Sequence, residues 1–177
     1  MELTKCINER RSIRKYKEAE ITNAEIEELI KSAQMAPSWK NSQTARYYVA
    51  KSDEYREKMV DALPDFNKGR AKDASCVIVT AVVKGISGYT SEGESATHLG
   101  HGFQCFDNGL AVENLCLKAY EMGYGTLIMG LYDEKMVRDV FEIPENMDVV
   151  ALIAVGKADI CPSAPQRKEL NEILTIK

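Results

Sequence analysis

The chain has no C-x-x-C pair, only two histidines, one tryptophan, and no apolar run near the ~20 residues that a membrane span needs. Cys6, Cys76, Cys105, Cys116 and Cys161 are odd in number and scattered, which fits reduced, mostly buried thiols and excludes a disulfide framework. His98 and His101 are three apart, with no carboxylate or cysteine spaced to complete a tetrahedral site, so no metal is expected. Neither G-x-G-x-x-G nor G-x-x-x-x-G-K-[ST] occurs, which removes the glycine-rich phosphate cradles of the common nucleotide folds. A formal net charge of −4 argues against nucleic acid as a partner, because a phosphate backbone rewards a basic face. No apolar leader follows the first methionine, so neither membrane attachment nor export is expected, and the expected location is cytoplasmic.

Positive charge is nevertheless concentrated in INERRSIRKY, residues 7–16, where Arg10, Arg11 and Arg14 surround Ser12. Guanidinium forks match phosphate oxygens bidentately, and a serine hydroxyl can donate to the same anion. On a helical turn Arg10 and Arg14 would share one face. By themselves these residues read first as a solvated basic end to a short helix, since charge runs are usually surface.

A length of 177 residues with 45% apolar content can bury a substantial core as one domain. The spacing predicts short helix over 2–9 and helix over 23–36, opened by a Thr22–Glu25 capping box with Ile21 and Ile26 as a hydrophobic staple. Strand is predicted over 45–51, helix over 53–63 ending at Pro64, and buried strand over the β-branched run 76–83. Residues 84–102 contain five glycines and little periodicity, and read as a mobile loop over a site or partner surface. Residues 103–122 form the central helix, with Asp107, Asn114, Lys118 and Glu121 as its narrow polar stripe. Strand 126–129, helix 135–141 with Met136, Val137 and Val140 inward, strand 149–155 and a loose tail follow. This order predicts an α+β layered domain with helices on both faces of one sheet.

Six stretches, RRSIRKY (10–16), APSWKNSQ (36–43), FNKGRAKDAS (66–75), DNGLAVENLCLKAYEMGYGT (107–126), IMG (128–130) and VGK with PQRKEL (155–157, 165–170), resemble in order the nitroreductase family. The resemblance implies a single FMN-binding domain over 1–177: a nitroreductase-like layered sandwich with a central, mostly antiparallel mixed sheet. It also implies a homodimer with an extended C-terminal tail and FMN at the interface. By the same resemblance Arg10, Arg11, Ser12 and Arg14 hold the phosphate and ribityl chain, and Arg167 adds a second cation. Pro37, Ser38 and Trp39, with Asn41, match the segment that reaches the flavin from the other subunit; Trp39 either stacks or covers the interface. Asn41 and Gln43 also suit plain turn chemistry after a proline. Asn67 matches a position beside the isoalloxazine ring and equally suits a helix N-cap. Met129 and Gly130 match the strand end whose backbone lies along the ring, where glycine permits close approach.

The implied activity is ping-pong transfer of electrons from NADH or NADPH to a small electron-poor acceptor such as a nitroaromatic or quinone. It needs no catalytic nucleophile or dedicated acid, since a bound flavin carries the chemistry. Other flavin reactions on the same fold (dehalogenation, dehydrogenation), a flavin sensor or storage module without turnover, and a flavin-free anion-binding protein remain alternatives. Thr44 and Ala45 stand where many relatives carry proline and an aromatic residue, and residues 84–102 are shorter than the helical insertion of many members. Both leave the acceptor open.

Overall fold

The structure is a computed structural model that describes residues 2–177. Its elements are α1 (Leu3–Glu9), β1 (Tyr16–Lys17), α2 (Asn23–Gln34), a 3₁₀ turn (Trp39–Asn41), β2 (Ala45–Ala50), α3 (Asp53–Asp61), α4 (Asp65–Ala71) and β3 (Cys76–Val83). There follow α5 (Gly102–Glu121), β4 (Gly125–Met129), α6 (Glu134–Phe141), β5 (Met147–Ala158) and α7 (Leu170–Ile173).

Five strands form one sheet in which every strand pair is antiparallel. β3 lies between β2 and β5, and β5 also pairs with β4 and, at its far end, with β1. Parallel character is confined to an isolated bridge, Ser12 to Thr126. Side chains alternate across a strand, and the two central strands therefore feed two cores. Val77, Val79, Leu152 and Ala154 join Met59, Ala71 and Val137 on the α3, α4 and α6 face. Cys76, Ile78, Ile153 and Val155 join Leu29, Ala33, Leu115 and Cys116 on the α2 and α5 face. Helices cover both faces, as the continuous β-branched runs require.

Local chemistry accounts for the element boundaries. Thr22 Oγ1 accepts from the Glu25 N–H at 3.2 Å while Glu25 Oε2 accepts from the Thr22 N–H at 2.8 Å, the reciprocal box expected at the start of α2. Asp133 caps α6 by accepting from the Met136 N–H at 3.0 Å. No helix of the described residues is long and apolar enough to cross a membrane.

Several expectations are corrected. The helix expected to run to Leu63 stops at Asp61, and Pro64 caps a further helix, α4, rather than ending the region. Met136 is exposed, whereas Val137 is fully buried, because α6 turns only a narrow face to the core. The tail carries one helical turn, α7, closed by its own Glu169–Glu172 capping box. Asp107, expected on a solvated stripe, is buried.

Candidate functional site

α1 ends at Glu9, and Arg10 leaves it with extended backbone, so Arg10 and Arg14 do not share a helical face. Residues 12 and 13 instead lie along β4. The Ile13 N–H donates to Thr126 O at 2.9 Å, and the Ile13 side chain is buried in the core on the α3–α4 face. This anchor holds the neighbouring arginines at the edge of the sheet.

Their charges are largely uncompensated. Arg11 Nη1 donates to the carbonyls of Asn8 (2.7 Å) and Arg10 (2.8 Å), and Arg14 Nη1 donates to Ser12 O at 3.3 Å. Neither reaches a carboxylate among the described residues. Arg10 Nε lies 3.5 Å from Glu113 on α5, a pairing of a half-buried guanidinium with an exposed carboxylate. Unpaired guanidiniums beside a serine hydroxyl suit an oxyanion with several acceptor oxygens.

Met129 and Gly130 lie at the C-terminal end of the same β4 edge. Met129 is buried, whereas a Cβ on Gly130 would meet open space, so backbone is accessible there. Asn67 is the third residue of α4 and not its cap: its N–H donates to Pro64 O at 2.8 Å, and its Oδ1 accepts from Arg70 Nη1 at 3.3 Å. α4 joins the core that holds Ile13 and Met129 through Ala71. Arg70 is a cation that the sequence reading passed over; its signal was the three-residue spacing from Asn67 on one helix face.

Pro37, Ser38, Trp39 and Asn41 follow α2 and are docked elsewhere. Lys40, Asn41 and Gln43 all adopt positive φ (47°, 55° and 48°), a concentration of left-handed backbone that L residues disfavour. The Trp39 N–H donates to Asp107 Oδ2 at 2.8 Å, and the indole meets Phe103 edge-on at 4.9 Å. Ser38 Oγ accepts from the Gln43 N–H at 3.0 Å, so Gln43 serves the turn through its backbone. Trp39 Nε1 is buried without a hydrogen-bond partner. Among the described residues no hydrogen bond, ion pair or ring contact joins this segment to the arginines, Asn67 or Met129. Arg167 is exposed on the tail and makes no such contact either.

A cavity of about 260 Å³ opens between α2, residues 36–38, the start of β2 and α5, with Ile30, Pro37, Tyr47, Asp107 and Ala111 on its wall. The Tyr47 hydroxyl is buried there without a partner, and burial pushes its pKa up to about 12. The two histidines stay apart from the arginines: His101 Nε2 lies 3.1 Å from Asp148 Oδ2, which also accepts from Gln104 Nε2 at 2.9 Å. Among the described residues no group of three or more His, Cys, Asp and Glu side chains could hold a metal. Ser87 and Phe103 were not singled out from sequence, and Asp107 was read only as part of a polar helix stripe, because the segments that they join are far apart along the chain.

A sequence profile described as the nitroreductase family matches residues 7–82 and 65–157. A protein of Archaeoglobus fulgidus, provisionally named NADH dehydrogenase/NAD(P)H nitroreductase, is 32% identical over 160 residues, covering 88% of this chain and 84% of its own. Among solved structures, a provisionally assigned nitroreductase in complex with FMN from Exiguobacterium sibiricum superposes with a TM-score of 0.87. At 23% identity, covering 100% of this chain and 98% of that one, it establishes the fold. An oxidoreductase containing FMN superposes with a TM-score of 0.76 at 25% identity, covering 88% of this chain and 77% of that one.

Proposed function

The chain belongs to the nitroreductase family, and from that premise we propose that it is an FMN-dependent oxidoreductase taking electrons from NADH or NADPH. The observation that carries the reading is the pair of guanidiniums, Arg11 and Arg14, without carboxylate partners among the described residues and held beside Ser12 along β4. The residues present fit the cofactor. Arg10, Arg11, Ser12 and Arg14 would hold its phosphate and ribityl chain, a near-dianion that needs several charge-assisted hydrogen bonds to leave water. The open backbone at Gly130 and the buried Met129 would lie along the ring, and Asn67, braced by Arg70, would meet a polar edge.

When bound, FMN supplies a centre that accepts a hydride and returns two electrons to a small electron-poor acceptor. This chain's part is to bind, orient and exclude water, so no side chain is assigned as nucleophile or acid. Among the described residues the Pro37–Asn41 segment has no link to the arginine group of its own chain, and a second copy would use it to cover the open side of the site. That arrangement is a homodimer in which Pro37, Ser38, Trp39 and Asn41 of one copy serve the flavin of the other, with Arg167 delivered by the exposed tail.

The test is the visible spectrum of the purified protein, followed anaerobically as NADH and then NADPH are added. Yellow protein whose flavin bands bleach supports the reading and names the donor. Yellow protein that neither nucleotide bleaches favours a sensor or store. Protein that stays colourless with added FMN overturns it.

A further inference from the structure

Asp107 lies in the first half of α5, where its side chain is buried and its Oδ2 accepts from two donors on two unrelated segments. One is the Trp39 backbone N–H at 2.8 Å; the other is the fully buried Ser87 hydroxyl at 2.5 Å. Among the described residues no Lys, Arg or His pairs with this carboxylate. A buried carboxylate is tolerated when its oxygens are hydrogen-bonded, so both donors are needed to keep it in place.

The same two segments meet again one helical turn earlier. The Trp39 indole rests edge-on against Phe103, and Gly88 packs against the same residue so closely that a Cβ there would come within 2.7 Å of Phe103 Cβ. Residues 84–101 and the Pro37–Asn41 segment are therefore joined twice through α5, by one shared oxygen and by one shared residue, Phe103. The second of these segments holds left-handed Lys40 and Asn41. Backbone of that kind persists only where its surroundings over-determine it.

We propose that Asp107 is a positioning residue that couples the 84–101 connection to the Trp39 segment, so that the seating of the connection sets the seating of Trp39 over the flavin site of the other copy. The consequence for turnover rests on the flavin oxidoreductase reading; the coupling itself is a property of the polypeptide. Residues 84–101 thereby become a determinant of acceptor preference without having to touch the acceptor.

Trp39 is the sole tryptophan, so its fluorescence reports the segment directly. The full chain is compared as wild type, Ser87→Ala, Asp107→Ala and the double variant, first with flavin removed and then with FMN added. Ser87→Ala is expected to shift Trp39 emission to the red and raise its quenching by acrylamide, although no Ser87–Trp39 hydrogen bond is lost. Added to Asp107→Ala it is expected to change nothing further, the signature of coupled sites. Asp107→Asn keeps an oxygen acceptor and is expected to restore wild-type emission, which also covers the case in which Asp107→Ala does not fold. In turnover, Ser87→Ala raises acceptor KM by roughly 2- to 10-fold with kcat nearly unchanged, the factor expected for one lost hydrogen bond. A silent Ser87→Ala, strictly additive changes or no rescue by Asp107→Asn overturns the coupling, and a fall in kcat alone overturns its consequence for acceptor preference. Failure to take up FMN would overturn the oxidoreductase reading instead, and the tryptophan comparison would still stand.

Discussion

Gly125 and Ile13 are packed so tightly that a methyl group on the glycine would overlap the isoleucine side chain, coming within 2.8 Å of its Cβ. Glycine at the start of β4 is what lets the arginine-bearing segment lie close against the sheet, with the Ile13 N–H reaching Thr126 O. Gly125→Ala should therefore destabilise the fold by about 1–3 kcal/mol through overpacking. It should also weaken FMN binding by displacing Ser12 and Arg14. Thermal unfolding and a flavin titration read the two effects separately.

Arg14→Ala removes an exposed guanidinium with no carboxylate partner among the described residues, so it should leave thermal stability nearly unchanged. FMN affinity should fall by about 1.5–3 kcal/mol, the range for a hydrogen bond to a charged group. An unchanged dissociation constant would remove Arg14 from the phosphate site.

The capping box of α2 sets an acid limb. The Thr22 N–H and hydroxyl, then the Tyr124 hydroxyl, hold the Glu25 carboxyl below its ordinary value of 4.5. A carboxyl with a lowered folded pKa contributes its stability above the unfolded value, and that contribution is lost as pH falls through the folded value. Thr22→Ala should cost about 1 kcal/mol near neutral pH and less below pH ~4, since protonation of Glu25 removes part of what the mutation removes. Chemical denaturation at pH 7 and at pH 3.5 measures the difference.

Burial pushes the Cys76 thiol up to about 12 and raises that of Cys116 as well. Both should resist alkylation until the chain unfolds, because the thiolate is the reactive form. Cys105→Ser and Cys116→Ser should leave flavin reduction intact, since no cysteine is assigned a chemical role. Loss of hydride transfer in a folded, flavin-loaded variant would contradict that assignment.

Much of the framework was legible in local pattern. Cys76–Val83 emerged as a strand with the expected bounds because an unbroken β-branched run is compatible with little besides a strand buried on both faces. Thr22 and Glu25 satisfied each other as their spacing required, since a capping box is closed by residues three apart and needs no distant partner. The break at Asp61 and the new start at Asp65 were not legible. Pro64 can end one helix or cap the next, and only the burial of Asn67 and Ala71 against the sheet selects the second.

By itself the sequence determined most of the longer helices and strands and where three arginines and a serine would gather. Periodicity, capping and charge clustering are properties of neighbours along the chain. The tertiary structure alone decided that Arg11 and Arg14 would stay without acidic partners, that Asp107 would be buried rather than solvated, and that Trp39 and Ser87 would share its oxygen. Those outcomes depend on segments 20 to 70 residues apart being brought within hydrogen-bond reach, and no local pattern encodes such a meeting.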